Sequence, residues 1–511
     1  MSDTTPERMS GSRHTFAVLA MILCFYGVTL GAAAVLALVA FLAFTRAGIL
    51  GIPIGIGCAG VAGCIVWTVF PRSSRFTETL PRVTPTQEPQ LFKAISEVAH
   101  AVGERPPDAV YIAPDINAAV REYGGWLGLG SRRAMLLGLP LAQLLTVTEF
   151  KSVIAHELGH FQAGDTKFSP WIYRLRASIS QSLKRVEWGL LEIPTLWFGK
   201  LFLRTSMSLS REKEFEADAV AARVAGPTAA ANALRKLDVV SPAFSAYLEA
   251  EAVPLLEASY RPSITLGFAR FLKARRTRTE LTKAHAASIE KRKAEQYDSH
   301  PPLVERVAAI EALPKAKQKI ADDTRPAITL FQTAESLEFE LLVELAGAQA
   351  VAELDPIDWN AAGEKVYLPM WARTIKRLKS KLRALDPSDL PGRALDVEAM
   401  TRSFVRVERQ DAPPEVRRAI GLWVLGAALA HLLHRKGHRF DCAVGEEVVF
   451  RHRDAGASAT LPDGSPSTIE PFKVLWDLSE RKITPTEWAA RCEAFGIAGA
   501  GLGGEDLELK V

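Results

Sequence analysis

Two long apolar runs open the chain. Phe16 to Phe44 contains no charged residue, and beyond Arg46 the stretch from Ala47 to Phe70 contains none either. Each exceeds the ~20 residues that cross a bilayer as a helix. The pattern therefore predicts two transmembrane helices within residues 15–72, joined by a tight turn. A cleaved secretory leader does not fit, because the first run is too long and a second follows at once. Gly55-Ile56-Gly57 and Gly60-Val61-Ala62-Gly63 let such helices pack closely. Arg8 and Arg13 precede the pair, Arg72, Arg75 and Arg82 follow it, and only Arg46 lies between. Positive flanks stay on the cytoplasmic side, so residues 1–14 and everything after the second helix are expected in the cytoplasm.

After this region the periodicity changes. Ala109-Val110-Tyr111-Ile112 reads as a strand. Phe150, Val153, Ile154, Leu158 and Phe161 recur at helical intervals. Thr146 and Glu149 have the spacing of a capping box, with Thr148 as an alternative cap, and Gly164-Asp165 closes the helix. A second helix runs through Ala219, Ala221, Ala222 and Ala225 to Gly226-Pro227, with Ser208 or Ser210 as its cap. Between the two, residues 167–209 form an insertion. Tyr173 to Trp188 mixes Arg174, Arg176, Lys184 and Arg185 with apolar positions, and Trp188 to Leu203 is aromatic and apolar. The pattern suits either a lid or a segment lying on the membrane surface.

Residues 265–296 read as a charged, solvated helix. Residues 320–415 are helix-rich, with Glu335 to Ala346 strongly so and breaks at Pro356, Pro387 and Pro391. Ala419 to Leu433 is apolar but short, which predicts a buried helix rather than a span. Val448 to His452 and Ala459 to Ser465 suggest a small hairpin. The expected fold is α+β and mostly α: a transmembrane pair, a domain at 76–318 with a small sheet, and a helical domain at 325–511.

Composition adds limits. At 511 residues the chain exceeds one domain. A net charge of +4 gives no nucleic-acid signal, and suits a domain held near an anionic leaflet of membrane lipid. Five cysteines, three of them in the apolar runs, make no disulfide framework.

The chemistry concentrates at His156-Glu157-Leu158-Gly159-His160. Residues four apart share a helix face, so both imidazoles can reach one metal ion, and Glu157 stands beside them to take a proton from water. A zinc hydrolase site needs a third protein ligand. Glu214 is the best candidate, with Glu212 and Glu216 as alternatives. Asp218, one turn on, can hold a ligand histidine by its other ring nitrogen. His431, His434 and His438 invite a metal reading too, but no carboxylate separates them and Arg435, Lys436 and Arg439 surround them. A basic surface is the expectation there.

These motifs resemble the membrane-bound gluzincin metallopeptidases, the group that includes the heat-shock protease HtpX and the CAAX prenyl proteases. The resemblance rests on His156–His160, on Glu214-Phe215-Glu216-Ala217-Asp218, on Asn117-Ala118, and on Ser299-His300-Pro301-Pro302-Leu303-Val304-Glu305-Arg306. It implies one Zn2+ per chain held by His156, His160 and Glu214, Glu157 as general base and acid, and Asp218 behind a ligand histidine. His300 would stabilise the oxyanion and Asn117 would hold the substrate backbone. It further implies a multi-pass protein of a bacterial-type inner membrane that cleaves polypeptides there, in membrane-protein quality control. Two rival expectations are a membrane-anchored scaffold or sensor on a protease-like fold, and a dedicated prenyl-protein protease. Residues after about 325 match no pattern of this group.

Overall fold

The computed structural model describes residues 11–46, 48–69, 79–124, 131–162, 192–291, 300–314, 319–398, 401, 413–455, 460–461 and 466–503. These residues fall into two compact units. The first comprises Met1–Pro242 and Ala286–Leu345, the second Ala243–His285 and Ala346–Val511.

The first unit begins with α1 (Gly11–Arg46) and α2 (Gly48–Val69), which lie against each other. Within α1, Val18–Arg46 is long and apolar enough to cross a membrane; the apolar stretch of α2, Gly51–Trp67, is shorter. Val28, Val35, Phe41, Ile54, Ile56 and Trp67 all project outward with more than half of their surface exposed. A water-facing helix pair would not carry so continuous an apolar exterior.

Beyond them, β1 (Arg82–Val83), β2 (Ala109–Ala113), β3 (Ala118–Tyr123) and β4 (Arg132–Gly138) form a four-stranded sheet in the order β1-β2-β4-β3. The β2–β4 pair is parallel and the β3–β4 pair antiparallel, so β3 is an edge strand. Helix α3 (Pro89–Val102) buries Leu91, Ile95, Val98 and Val102, a stripe at helical spacing. Helix α4 (Leu139–Leu144) leads into α5 (Val147–Gln162), against which α3 also packs.

The capping box at the start of α5 is formed. Glu149 N–H donates to Thr146 Oγ1 at 3.2 Å, and Thr146 N–H donates to the Glu149 carboxylate at 2.9 Å. Thr148 instead ties the helix to the 322–323 turn through Asp322 and Asp323. Phe150, Ile154, Leu158 and Phe161 are buried, as the periodicity predicts. Gly164-Asp165 and most of the 167–209 insertion lie outside the described residues.

The second metal-site helix departs from expectation. It is a single helix, α6 (Glu192–Ala225), and Ser208 and Ser210 lie inside it rather than capping it. Tertiary packing carries the helix through the weak capping signal. Phe202, Leu203 and Leu209 form an apolar cluster with Val18 and Ile22 of α1. The Ser206 hydroxyl bonds back to the Leu203 carbonyl and so needs no cap partner. The end is as expected, at Ala225 before Gly226-Pro227.

Helix α5 packs closely on α6. Gly159 makes the approach possible: a Cβ there would stand 3.1 Å from Val220 Cβ and 3.3 Å from Ala217 Cα. Helix α7 (Leu303–Glu311) adds a third element against α6.

The second unit is helical around one core. Its centre is α9 (Pro414–Arg435), mostly buried, with α8 (Leu368–Leu382) and α10 (Pro471–Ser479) packed on it. Trp371, Leu425, Leu429, Leu475 and Trp488 fill the interior. The expected hairpin is instead a three-stranded antiparallel sheet. Strand β5 (Arg439–Asp441) pairs with β6 (Val449–Arg451), and β6 pairs with β7 (Thr468–Ile469). Of the 459–465 segment, only Thr460 and Leu461 are described, and Thr460 makes an isolated bridge to Pro466. Strand pairing passes to Thr468–Ile469, where Ile469 is buried in the core.

The histidine trio corrects another expectation. Helix α9 ends at Arg435, and Gly437, at φ 81°, turns the chain away, so His434 and His438 do not share a helix face. His438 is buried, with Nε2 against the Phe495 carbonyl at 2.9 Å and Nδ1 accepting from Arg453 N–H at 3.3 Å. It is a satisfied core histidine, and not part of a basic surface.

Gly159→Val is expected to push α5 from α6, destabilise the first unit by about 1–3 kcal/mol and weaken metal binding about tenfold or more. Thermal unfolding with and without zinc measures both; unchanged metal affinity would show that helix spacing does not set the site.

Candidate metal centre

The α5–α6 contact brings the sequence-predicted residues together. His156, His160 and Glu214 each offer a donor atom, all within 4.8 Å of one another. His156 Nε2 lies 3.6 Å from Glu214 Oε2, and His160 Nε2 lies 3.8 Å from Glu214 Oε1. A tetrahedral zinc with bonds of about 2.0–2.1 Å separates its donors by roughly 3.3–3.5 Å. The three side chains fit such an ion once their donor atoms, all within 4.8 Å of one another, draw inward. Glu216, one of the alternative third ligands, is exposed and paired with Lys213 at 2.8 Å.

Asp218 lies against one of these histidines. Its Oδ1 lies 3.0 Å from His156 Nδ1. That contact favours a ring proton on Nδ1, with Nε2 facing Glu214. Arg306 completes the arrangement. From α7 its Nε and one terminal nitrogen donate to the two Asp218 oxygens at 2.8 and 2.7 Å, a bidentate clamp. Its other terminal nitrogen stands 3.1 Å from Glu214 Oε2. Arg306 lies in the 299–306 segment, and its residue type alone carries no role. The available signal was charge balance, since two acids one turn apart on a buried helix face need a cation.

His300 joins the same cluster, with Nδ1 3.2 Å from Glu214 Oε1 and two thirds of its side chain exposed. Asn117 lies elsewhere, immediately before β3. Its Oδ1 accepts from Ala118 N–H at 2.9 Å and its carbonyl accepts from Gly138 N–H at 2.8 Å. Alternation along the antiparallel pair then turns Ala118, Val120 and Glu122 toward the open edge of the sheet. Val120 N–H faces the Glu157 carboxylate, which places the open edge beside the cluster.

The electrostatics follow from burial and these pairings. Burial holds the Glu157 carboxyl up, to about 7, with His156 drawing it down and Glu214 adding to the rise. Burial and the nearby His156 hold His160 down, to about 4, so its ring is neutral. For Glu214, burial acts upward, but the His300 hydrogen bond and the charges of His156 and Arg306 outweigh it and bring the carboxyl to about 2. Burial likewise opposes ionisation of Asp218, and the hydrogen bonds from Arg306 and His156 overcome it. His160 is thus a neutral imidazole and Glu214 a firmly ionised carboxylate, the states that metal ligands require. At His156 burial acts downward, and the Asp218 hydrogen bond and the Glu157 and Asp218 charges outweigh it. Glu157 sits apart from them at a proton affinity suited to exchange near neutrality.

Comparison with known proteins agrees with this geometry. Residues 85–313 match the model of Peptidase family M48. A protease HtpX homologue of Nostoc sp. is 26% identical over 216 residues, covering 37% of this chain and 71% of the relative. One from Acaryochloris marina is 26% identical over 209 residues, covering 37% and 69%. The protease HtpX of Klebsiella pneumoniae is 30% identical over 177 residues, covering 29% and 58%. No solved structure matches the chain.

Removing Arg306 leaves two buried carboxylates without their cation. Arg306→Met is expected to cost about 3–5 kcal/mol, and Arg306→Lys to recover only part of that, since an ammonium cannot grip both Asp218 oxygens. Denaturant unfolding of the two variants checks this. Equal stability of Arg306→Met and the native chain would remove Arg306 from the support of the site.

Proposed function

The chain carries a Peptidase family M48 domain and is a relative of the HtpX proteases, and from this premise we propose that it is a membrane-anchored zinc endopeptidase acting on polypeptides. The observation that carries the reading is the convergence of His156 and His160 with Glu214 from a second helix. The donor set suits zinc, which when bound supplies a Lewis acid to polarise a peptide carbonyl.

This chain's own residues do the rest. An extended substrate adds to the open edge of β3, where Val120 and Glu122 present their backbone groups and Asn117 stands at the strand's start. Strand addition fixes which carbonyl faces the cluster. Glu157 takes the proton of the attacking water and returns it to the leaving amine. His300, at the solvent side, donates to the developing oxyanion, a contact typically worth ~3 kcal/mol. Asp218 and Arg306 hold His156 in the ligating tautomer throughout.

The apolar exterior of α1 and α2 supports a transmembrane helical hairpin as the anchor. The arginines flanking both ends support a catalytic domain on the cytoplasmic side. Membrane proteins and other chains at that surface are then the substrates within reach, which is why membrane-protein quality control is the setting proposed.

Glu157→Gln is expected to abolish cleavage of an unfolded polypeptide, in a chelator-sensitive assay, while zinc content stays full. Undiminished proteolysis would reject the mechanism and favour a scaffold or sensor. Glu214→Ala is expected to lose its zinc; full occupancy by metal analysis would move the third ligand to another carboxylate.

A further inference from the structure

Helix α8 in the second unit has no part in the site above. Between Leu368 and Leu385 the chain holds six basic residues (Arg373, Lys376, Arg377, Lys379, Lys381 and Arg383) and no acidic one. This one segment carries more positive charge than the net +4 of the entire chain. Trp371, Ile375, Leu378 and Leu382 take the inward face and are buried in the unit's core. Five of the six cations (all but the half-buried Lys379) are exposed on the opposite side. Arg373 stands three and four residues before Lys376 and Arg377, a spacing at which like charges repel along a helix. The core-facing stripe is enough to fold α8.

The geometry points to a docking surface for anionic lipid headgroups on the outer face of α8. This rests on the proposed anchoring by α1 and α2, which would keep every copy of the second unit within reach of a bilayer. An anionic leaflet attracts Lys and Arg side chains without needing shape. Nucleic acid fits less well, because single strands are gripped by aromatic platforms beside the basic groups. The aromatics here turn inward: Trp371 is buried, and the Tyr367 hydroxyl bonds to Glu251 at 3.2 Å. With the apolar side committed to the core, α8 does not insert into the acyl region. It adheres by charge, and salt must weaken it.

The full chain, placed in nanodiscs of phosphatidylcholine alone or of phosphatidylcholine with phosphatidylglycerol, tests this. Amine-reactive labelling of Lys376, Lys379 and Lys381 is read by mass spectrometry against Lys482, whose side chain is 64% exposed. The anionic discs are expected to slow labelling about threefold or more at low salt, with recovery at about 1 M salt. Arg373→Glu with Arg377→Glu, both on the solvent side, should abolish the difference. Equal labelling in the two bilayers, with the chain inserted in both, overturns the inference and leaves the anchor standing. Protection that appears only on adding RNA or DNA to neutral discs overturns it in favour of a nucleic-acid surface. Failure of the chain to enter either disc refutes the anchor, and this inference with it.

Discussion

Every property of the site depends on how closely α5 lies against α6. Two imidazoles on one helix cannot close a metal site alone; a carboxylate must arrive from another element at the distance of shared coordination. Gly159 permits that arrival, because any side chain there meets Val220 and Ala217. Once the helices touch, Glu214 falls within 3.6 Å of His156 and 3.8 Å of His160. Backbone proximity has become chemistry.

A close pair of helices also creates a problem, which α7 solves. Glu214 and Asp218 sit on a buried face, where two negative charges repel and lose their hydration. Arg306 reaches both, through a bidentate clamp on Asp218 and a 3.1 Å contact to Glu214. The clamp then propagates: a fixed Asp218 fixes the His156 ring, and the fixed ring aims Nε2 at the cluster. Each support acts on the one before it. The domain is therefore built from segments far apart in the chain, since the sequence between α6 and α7 includes a stretch that belongs to the other unit.

The long α6 extends this chain of contacts toward the N-terminus. Its first half packs on α1 through Phe202, Leu203 and Leu209, and its second half carries Glu214 and Asp218. One helix thus runs without a break from its apolar contact with α1 to the carboxylates of the candidate metal centre. The edge strand β3 approaches the cluster from the other side, with Val120 facing Glu157. The carboxylates and the open edge of the sheet meet around α5.

Local patterns were enough to place what depends on neighbours in sequence. The four-residue spacing of His156 and His160, the capping box of Thr146 and Glu149, and the buried stripe of α5 all read correctly, because helical periodicity is a property of the chain itself. The apolar runs of α1 and α2 belong to the same class. Packing decided the rest. Ser208 and Ser210 looked like caps, but the α1 cluster carried the helix through them. His434 and His438 read as part of a basic surface, but the helix stops at Arg435, and Gly437 sends the second ring into the core. Arg306 looked like one charge in a loop motif, and only the meeting of three helices made it the cation between two buried acids. Spacing along a chain fixes which side chains share a face; which faces meet is fixed by the burial of apolar surface between distant segments, and no local pattern encodes that.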